Sequence, residues 1–205
     1  LLSDGNVHAH VDHVYGLLRA AHAAGVQTVR LHVLADGRDV RDPSFEHYLE
    51  QLQTVLTELG HRDYQIASGG GRMALTMDRY DADWAMVQRG WDVHVRGQGR
   101  TFASVADALV ALRQEAGGQS DQTLPGFVVA GKDGQPLGRV VDGDSFVLWN
   151  FRGDRAIELT RAFDDDEVAE LDRQPRPGVR YAGMMQYDGD LHLPKRYLVD
   201  PPVIE

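Results

Sequence analysis

Thr28-Val29-Arg30-Leu31-His32-Val33-Leu34-Ala35-Asp36-Gly37-Arg38-Asp39 decides the fold. Thr28 to Leu34 has the β-branched and aliphatic content of a strand, and the strand ends at the Asp36-Gly37 turn. Pro43 then opens a helix whose Phe45, Tyr48, Leu49, Leu52, Val55 and Leu56 share one face, with Gly60 at its end. Strand, charged loop and helix in that order form the repeating unit of a layered α/β domain.

Working outward, Val14, Leu17, Leu18 and Ala21 predict a helix over Val11 to Ala24, stopped by Gly25. On the other side a short strand, Gln65 to Ala67, runs into the triple glycine 69–71, which resembles a phosphate loop. Tyr80 to Gly90 reads as a helix, continued by Val93 to Arg96, with Trp84, Val87 and Trp91 as core anchors. Phe102 to Ala116 is a further helix closed by Gly117-Gly118. Gly126 to Val129, Gly138 to Val141 and Ser145 to Asn150 read as short strands joined by the turns Lys132-Asp133-Gly134 and Asp142-Gly143-Asp144. A helix over Asp154 to Phe163 and a strand over Arg180 to Gln186 complete the pattern. The expected fold is one layered α/β/α domain with a mixed, largely parallel sheet flanked by helices.

With 205 residues, 42% of them hydrophobic and 25% charged, the chain has the composition of a single globular domain. A net charge of −10 provides no basic field for nucleic acid. There is no apolar run of membrane-spanning length and no signal pattern. Absence of cysteine excludes disulfides and thiolate chemistry, and the whole points to a cytoplasmic protein. The start at Leu1-Leu2-Ser3, running straight into a functional-looking loop, and the Pro201-Pro202 ending suggest a domain excised from a longer polypeptide.

Within this acidic chain six arginines, Arg38, Arg41, Arg72, Arg79, Arg152 and Arg155, sit in Gly- and Asp-rich segments where strands end. Guanidinium forks at such positions suit two-pronged bonding to phosphate and carboxylate. Ligands of open α/β sheets bind beyond the carboxyl ends of strands. Surface ion pairing is the alternative for any one arginine, and recurrence at the same kind of strand end favours a binding role. His8, His10 and His13 raise the possibility of a metal, but no cysteine or carboxylate of ligand spacing accompanies them, and a phosphate bonded by His8 is favoured. Asp39 can orient or deprotonate a hydroxyl, or act as an N-cap or a partner of Arg41. No Walker loop, dinucleotide fingerprint or nucleophile elbow is present, so a nucleotide enzyme is only a weak alternative.

Five motifs occur in order: Ser3-Asp4-Gly5-Asn6-Val7-His8-Ala9-His10, Ala35-Asp36-Gly37-Arg38-Asp39, Ser68-Gly69-Gly70-Gly71-Arg72-Met73 with Thr76-Met77-Asp78-Arg79-Tyr80, Val141-Asp142-Gly143-Asp144-Ser145 with Asn150-Phe151-Arg152-Gly153-Asp154-Arg155, and Tyr181-Ala182-Gly183-Met184-Met185-Gln186-Tyr187-Asp188-Gly189. Together they resemble the substrate-binding (transferase) domain of cofactor-independent phosphoglycerate mutase, in its plant and trypanosomatid form. That resemblance implies a domain spanning 1–205, inserted in an alkaline-phosphatase-like domain of the same polypeptide. It implies interconversion of 3-phosphoglycerate and 2-phosphoglycerate through a serine phosphorylated in that other domain, beside two divalent metals, usually manganese. It carries substrate contact to His8, Arg38, Asp39, Arg72, Arg79, Arg152 and Arg155, with Asp39 the candidate for handling the hydroxyl proton, and it leaves Arg41 out. No serine nucleophile or metal motif of the family matches here, so the isolated chain is expected to lack mutase activity and a manganese site. Asn6 stands where relatives often have Gly. An inserted domain also requires Leu1 and Glu205 to lie near one another. The competing reading is a free-standing phosphometabolite-binding module without catalysis.

Overall fold

The computed structural model describes residues 1–60, 62–115 and 120–200. The strand first read from sequence is β1 (Thr28–Ala35), and it pairs in parallel with β2 (Asp63–Gly71). The helix between them, α2 (Phe45–Glu58), is the crossover that a parallel pair requires. The same device recurs twice. Strand β3 (Arg100–Phe102), α4 (Val105–Glu115) and β4 (Phe127–Val129) form a second parallel unit, and β5 (Ser145–Leu148), α5 (Ile157–Asp164) and β6 (Arg180–Gly183) a third. Strands β2 and β4 meet antiparallel, giving a sheet in the order β1-β2-β4-β3 and a separate two-stranded sheet β5-β6. The layered, mixed and mostly parallel α/β architecture is the one expected.

The first helix, α1 (Val11–Ala23), begins after His10, whose Nδ1 accepts the N–H of Asp12 at 3.2 Å. His10 is thus an N-cap. Val14 and Leu18 of α1, Leu49 and Leu52 of α2 and Leu109 and Leu112 of α4 pack into one core with Leu31 and Val33 of β1 and Phe127 of β4. Burial of a side chain such as Leu52 contributes about 1.5–3 kcal/mol. By strand alternation His32 faces the other way. There its Nδ1 lies 2.7 Å from the Ser68 hydroxyl, which is 2.7 Å from His94 Nδ1, and its ring stacks on Phe146 of β5. Burial lowers both imidazoles, His32 to about 4 and His94 well below its ordinary value, so the chain of hydrogen bonds from β1 through β2 to the turn bearing His94 is neutral. A second core lies on this side: Val87 of α3 (Trp84–Gly90), Trp91 and Val95 of the π-helical turn Trp91–Val95, Leu159 and Phe163 of α5, and Tyr181.

Several expected boundaries are corrected. The triple glycine is the buried end of β2 and no loop: a Cβ on Gly69 would strike the Phe127 ring, and one on Gly70 would strike Leu75. Helix α3 starts at Trp84 and not Tyr80, because Tyr80 and Asp81 adopt φ of 62° and 54° and Asp83 caps Met86 N–H. Phe102 belongs to β3, and Ser104 Oγ accepts Asp107 N–H at the start of α4; Ala116, Gly117 and Gly118 lie outside the described residues. Gly138 to Val141 is not a strand. Gly138 lies flat on Ala67, where no Cβ would fit, while Arg30 Nε donates to Leu137 O at 3.1 Å. The expected hairpins reduce to an isolated bridge, Ala130 to Pro136. Helix α5 starts at Ile157, after a turn holding Asp154 and Arg155, and β6 ends at Gly183.

Candidate functional site

The carboxyl ends of β1, β2 and β5 each run into an arginine-bearing loop, and Asp36 ties the first of them together. Its side chain is 1% exposed. Oδ1 accepts the N–H of Arg38 (3.2 Å), the N–H of Asp39 (3.1 Å) and Arg72 Nη1 (2.7 Å), while Oδ2 accepts the Ser3 hydroxyl (2.5 Å). An aspartate that folds the backbone over itself in this way is the reason an Asp-Gly turn follows the strand. Gly37 supplies φ of 62°, and a side chain there would meet Asp121 and Asp42. Burial alone would raise the Asp36 carboxyl, but the bonds from Ser3, Asp39 N–H and Arg72 outweigh it and hold the group below its ordinary value.

Arg72 follows Gly71 directly and is 1% exposed. Its Nη1 forks between Asp36 and Asp39 Oδ2, the latter at 2.5 Å. Gly5 packs so closely on Asp39 that a Cβ would lie 2.9 Å from Asp39 Cβ, and Asn6 beside it takes φ of 55°, a conformation suited to glycine. Arg155 is fixed differently, by a 2.5 Å bond from Nη1 to Met77 O and a contact to the Met73 sulfur. Burial, then the charges of Arg72 and Arg79, push its pKa down. Arg38 and Arg79 have no carboxylate within ion-pair distance among the described residues, and Arg79 lies over the Tyr80 ring at 5.4 Å.

The N-terminal segment reaches this point because Leu2 N–H donates to Leu34 O and Val11 N–H to Ser3 O. It presents His8, whose carbonyl accepts the N–H of Phe151 (2.8 Å) and of Arg152 (3.3 Å), lacing it to the loop after β5. Arg152 Nη2 donates to Asp154 Oδ2 at 2.9 Å, and its Nε forms an ion pair with Oδ1 at 2.9 Å, although Oδ1 accepts no hydrogen bond. His8 Nδ1 lies 3.5 Å from Asp154 Oδ1, buried and without a hydrogen bond. Burial first, and then the Arg72 charge, lower the His8 pKa to about 4, against opposing pulls from Asp154 and Asp39. The imidazole is therefore neutral at physiological pH.

One cavity of about 190 Å³ collects these groups: Val7, His8, Arg38, Asp39, Arg72, Arg79, Arg152, Asp154 and Arg155 line it. All seven residues singled out from the sequence meet there. Arg41 is exposed and does not line it. Asp154 and the supporting Asp36 were missed, although both stand within two residues of an arginine inside the quoted motifs. Five guanidinium groups facing two carboxylates make the cavity cationic in an acidic chain. It can hold a small ligand bearing more than one anionic group, and it offers Asp39 Oδ1, which has no partner among the described residues, to a hydroxyl. Among the described residues no group of three or more His, Asp or Glu could hold a metal ion. A shallower cleft of about 470 Å³ along Phe102, Ala103, Ala130 and Lys132 brings together no comparable set of charges.

The family model described as BPG-independent PGAM N-terminus matches residues 1–189. The chain belongs to that family. Its relatives in this BPG-independent phosphoglycerate mutase group include a probable 2,3-bisphosphoglycerate-independent phosphoglycerate mutase of Leptospira interrogans, 53% identical over 100% of this chain and 38% of the relative. The 2,3-bisphosphoglycerate-independent phosphoglycerate mutase of Trypanosoma brucei brucei is 51% identical over 98% of this chain and 37% of its own length. The phosphoglycerate mutase of Leishmania mexicana, solved at low cobalt concentration, superposes with a TM-score of 0.96 at 47% identity, over 98% of this chain and 37% of that one. The chain thus spans well under half the length of these relatives. No helix among the described residues is long and apolar enough to cross a membrane.

Proposed function

We propose that residues 1–205 are the substrate-binding domain of a cytoplasmic phosphoglycerate mutase, holding 3-phosphoglycerate or 2-phosphoglycerate while a serine in an alkaline-phosphatase-like domain of the same polypeptide exchanges the phosphoryl group. The observation that carries this reading is the convergence of His8, Arg38, Asp39, Arg72, Arg79, Arg152 and Arg155 on one cavity. A phosphoglycerate bears a phosphate and a carboxylate joined by a three-carbon chain with one free hydroxyl. Five forks match the two anionic ends, and Asp39 meets the hydroxyl. Arg72 holds Asp39 by one oxygen, which aims the other. Asp39 then accepts the hydroxyl hydrogen as that oxygen takes up the phosphoryl group.

The same guanidiniums would repel a divalent cation, so the two metals that the resemblance implies, manganese, fit the other domain and not this cavity. An inserted domain is supported by the placement of the described ends. Trp149 Nε1–H donates to Leu1 O at 2.9 Å, and Val199 N–H to Met184 O at 3.0 Å, so both ends lie where the paired strands β5 and β6 terminate. Glu205 lies outside the described residues.

The test is Asp39→Asn in the full-length enzyme. We expect kcat to fall by about 10²–10⁴, the range for loss of a positioned general base, with KM changing far less. A variant with near-native kcat refutes the role of Asp39. Titration of this chain with 3-phosphoglycerate and with ATP separates the mutase reading from a nucleotide site.

A further inference from the structure

His8 and Asp154 stand in an unfinished arrangement. His8 Nδ1 is buried, has no hydrogen bond, and is 3.5 Å from Asp154 Oδ1, half an ångström or so beyond bonding range. Asp154 is meanwhile held by Arg152, whose Nη2 donates to Oδ2 and whose Nε lies in ion-pair contact with Oδ1, an oxygen that has no hydrogen bond of its own. The Arg152 side chain is 47% exposed and faces the cavity. A neutral imidazole has one donor nitrogen. It can serve Asp154 through Nδ1 or an anion through Nε2, and only the imidazolium serves both.

We propose that Asp154 is a positioning carboxylate that changes partners. It holds Arg152 in the ligand-free chain and takes the Nδ1–H of His8 when an anionic ligand draws Arg152 toward itself. This rests on the proposed function only in taking a phosphate-bearing anion as the ligand. The groups facing His8 set the direction. Arg72 from the end of β2 and Arg152 from the loop after β5 oppose a positive imidazole, while Asp39 and Asp154 favour it. Arg38, Arg79 and Arg155 add positive charge around the same cavity. An anion offsets the guanidiniums, and Asp154, released from Arg152, is free to turn to His8. The imidazole then takes a proton from water, donates Nδ1–H to Asp154, and presents Nε2–H to the ligand. Binding thereby carries a proton into the site without adding a residue to it.

The experiment follows the His8 ring nitrogens by NMR in this chain, with His8→Gln assigning the signal. The arms are ligand-free, inorganic phosphate and 3-phosphoglycerate, near pH 6.5. Saturation with either anion is expected to convert His8 from a neutral tautomer to imidazolium, and Asp154→Asn to abolish the conversion. A ligand-free arm tests the exchange on its own. Arg152→Gln frees Asp154 and is expected to raise the titration of His8 by about 1–3 pH units, a rise that should vanish when Asp154→Asn is added. If the amides of Arg38 and Arg79 shift with ligand while His8 stays neutral, the partner exchange is refuted and the proposed function stands. If neither anion shifts any resonance of the cavity, the proposed function fails, and the exchange as a response to ligand fails with it. Equal protonation in Asp154→Asn and native chain, or equal His8 titration in Arg152→Gln with and without Asp154→Asn, refutes the assignment to Asp154.

Discussion

Replacing Arg72 by methionine should be among the most damaging single changes in the chain, and the damage should depend on pH. The native guanidinium is 1% exposed and bonds two carboxylates, Asp36 at 2.7 Å and Asp39 at 2.5 Å. Methionine retains much of the apolar stem, so the loss is mainly that of the charge partner. Removing one member of a buried pair typically costs about 3–5 kcal/mol, because the other charge stays buried. Asp36 keeps the Ser3 hydroxyl and the N–H groups of Arg38 and Asp39, which places the expected cost near the lower end, about 3 kcal/mol. With a urea slope of about 3 kcal/mol/M the unfolding midpoint should fall by about 1 M. The sign with pH follows from Asp36. Its folded-state carboxyl lies below the ordinary 3.8, so its stabilisation is present above that value and is lost as pH falls through the folded value. Without Arg72 the burial that favours the neutral acid is less opposed, so the carboxyl moves up. The penalty of Arg72→Met should therefore be largest at pH 7 and shrink toward pH 4. Asp36→Asn combined with Arg72→Met should cost less than the sum of the single changes. A penalty under about 1 kcal/mol at pH 7, or an additive double variant, would refute the buried-pair account.

Glu158 is buried beside Asp78 and Asp81, with Oε2 unbonded and Oε1 accepting Asp81 N–H at 3.2 Å. Burial is the main reason its pKa is raised, so its stabilisation holds below the ordinary 4.5 and is lost as pH rises through the folded value. Glu158→Gln should thus unfold at a higher temperature than the native chain at pH 7 and show no such gain at pH 4, as checked by thermal denaturation. Gly71→Ala would drive a Cβ into the backbone carbonyls of Asp121 and Gln122, immediately before Arg72. We expect a loss of about 1–3 kcal/mol in urea unfolding, together with weakened 3-phosphoglycerate binding, because Arg72 must shift.

What the sequence disclosed depended on whether the cause was local. The β1 strand, its Asp-Gly turn and α2 are specified by residues within a few positions of each other. They stand within two residues of their expected places, α2 starting at Phe45 behind the N-cap Ser44 and not at Pro43. The glycines 69–71 look like a loop because nothing local reveals that Phe127, Leu75 and the Asp121 and Gln122 carbonyls fill the space beside them. Gly138 to Val141 has strand-like composition, yet its geometry is set by contact with Ala67 and Arg30, far away in sequence. The left-handed Tyr80 and Asp81 likewise delay α3 without any glycine to announce it. Site residues were legible through ordered motifs. Strand-end position alone admitted Arg41, and only the motif resemblance excluded it. Asp154 was invisible because a carboxylate between two arginines reads as their counter-charge until its distance to His8 is known.

The arginines of the cavity fall into two physical classes, and the difference bears on how a ligand is held. Arg72 and Arg155 form a buried floor, locked by Asp36 and Asp39 in one case and by the Met77 carbonyl in the other. Their geometry is set by folding, so a ligand loses little freedom on their behalf. Arg38, Arg79 and Arg152 are more exposed, and each must be immobilised on binding, at roughly 0.5–1.5 kcal/mol per side chain. Arg152 differs from the other two because it must also leave Asp154, and the carboxylate it leaves is the one His8 lacks. Guanidinium does not release its proton, so the repulsion from Arg72 and Arg79, which together with the larger effect of burial lowers the pKa of Arg155, persists until an anion arrives. An anion therefore relieves repulsion at the floor while ordering the rim. That favours ligands with two anionic groups, one for each set of forks, over a ligand with a single charge.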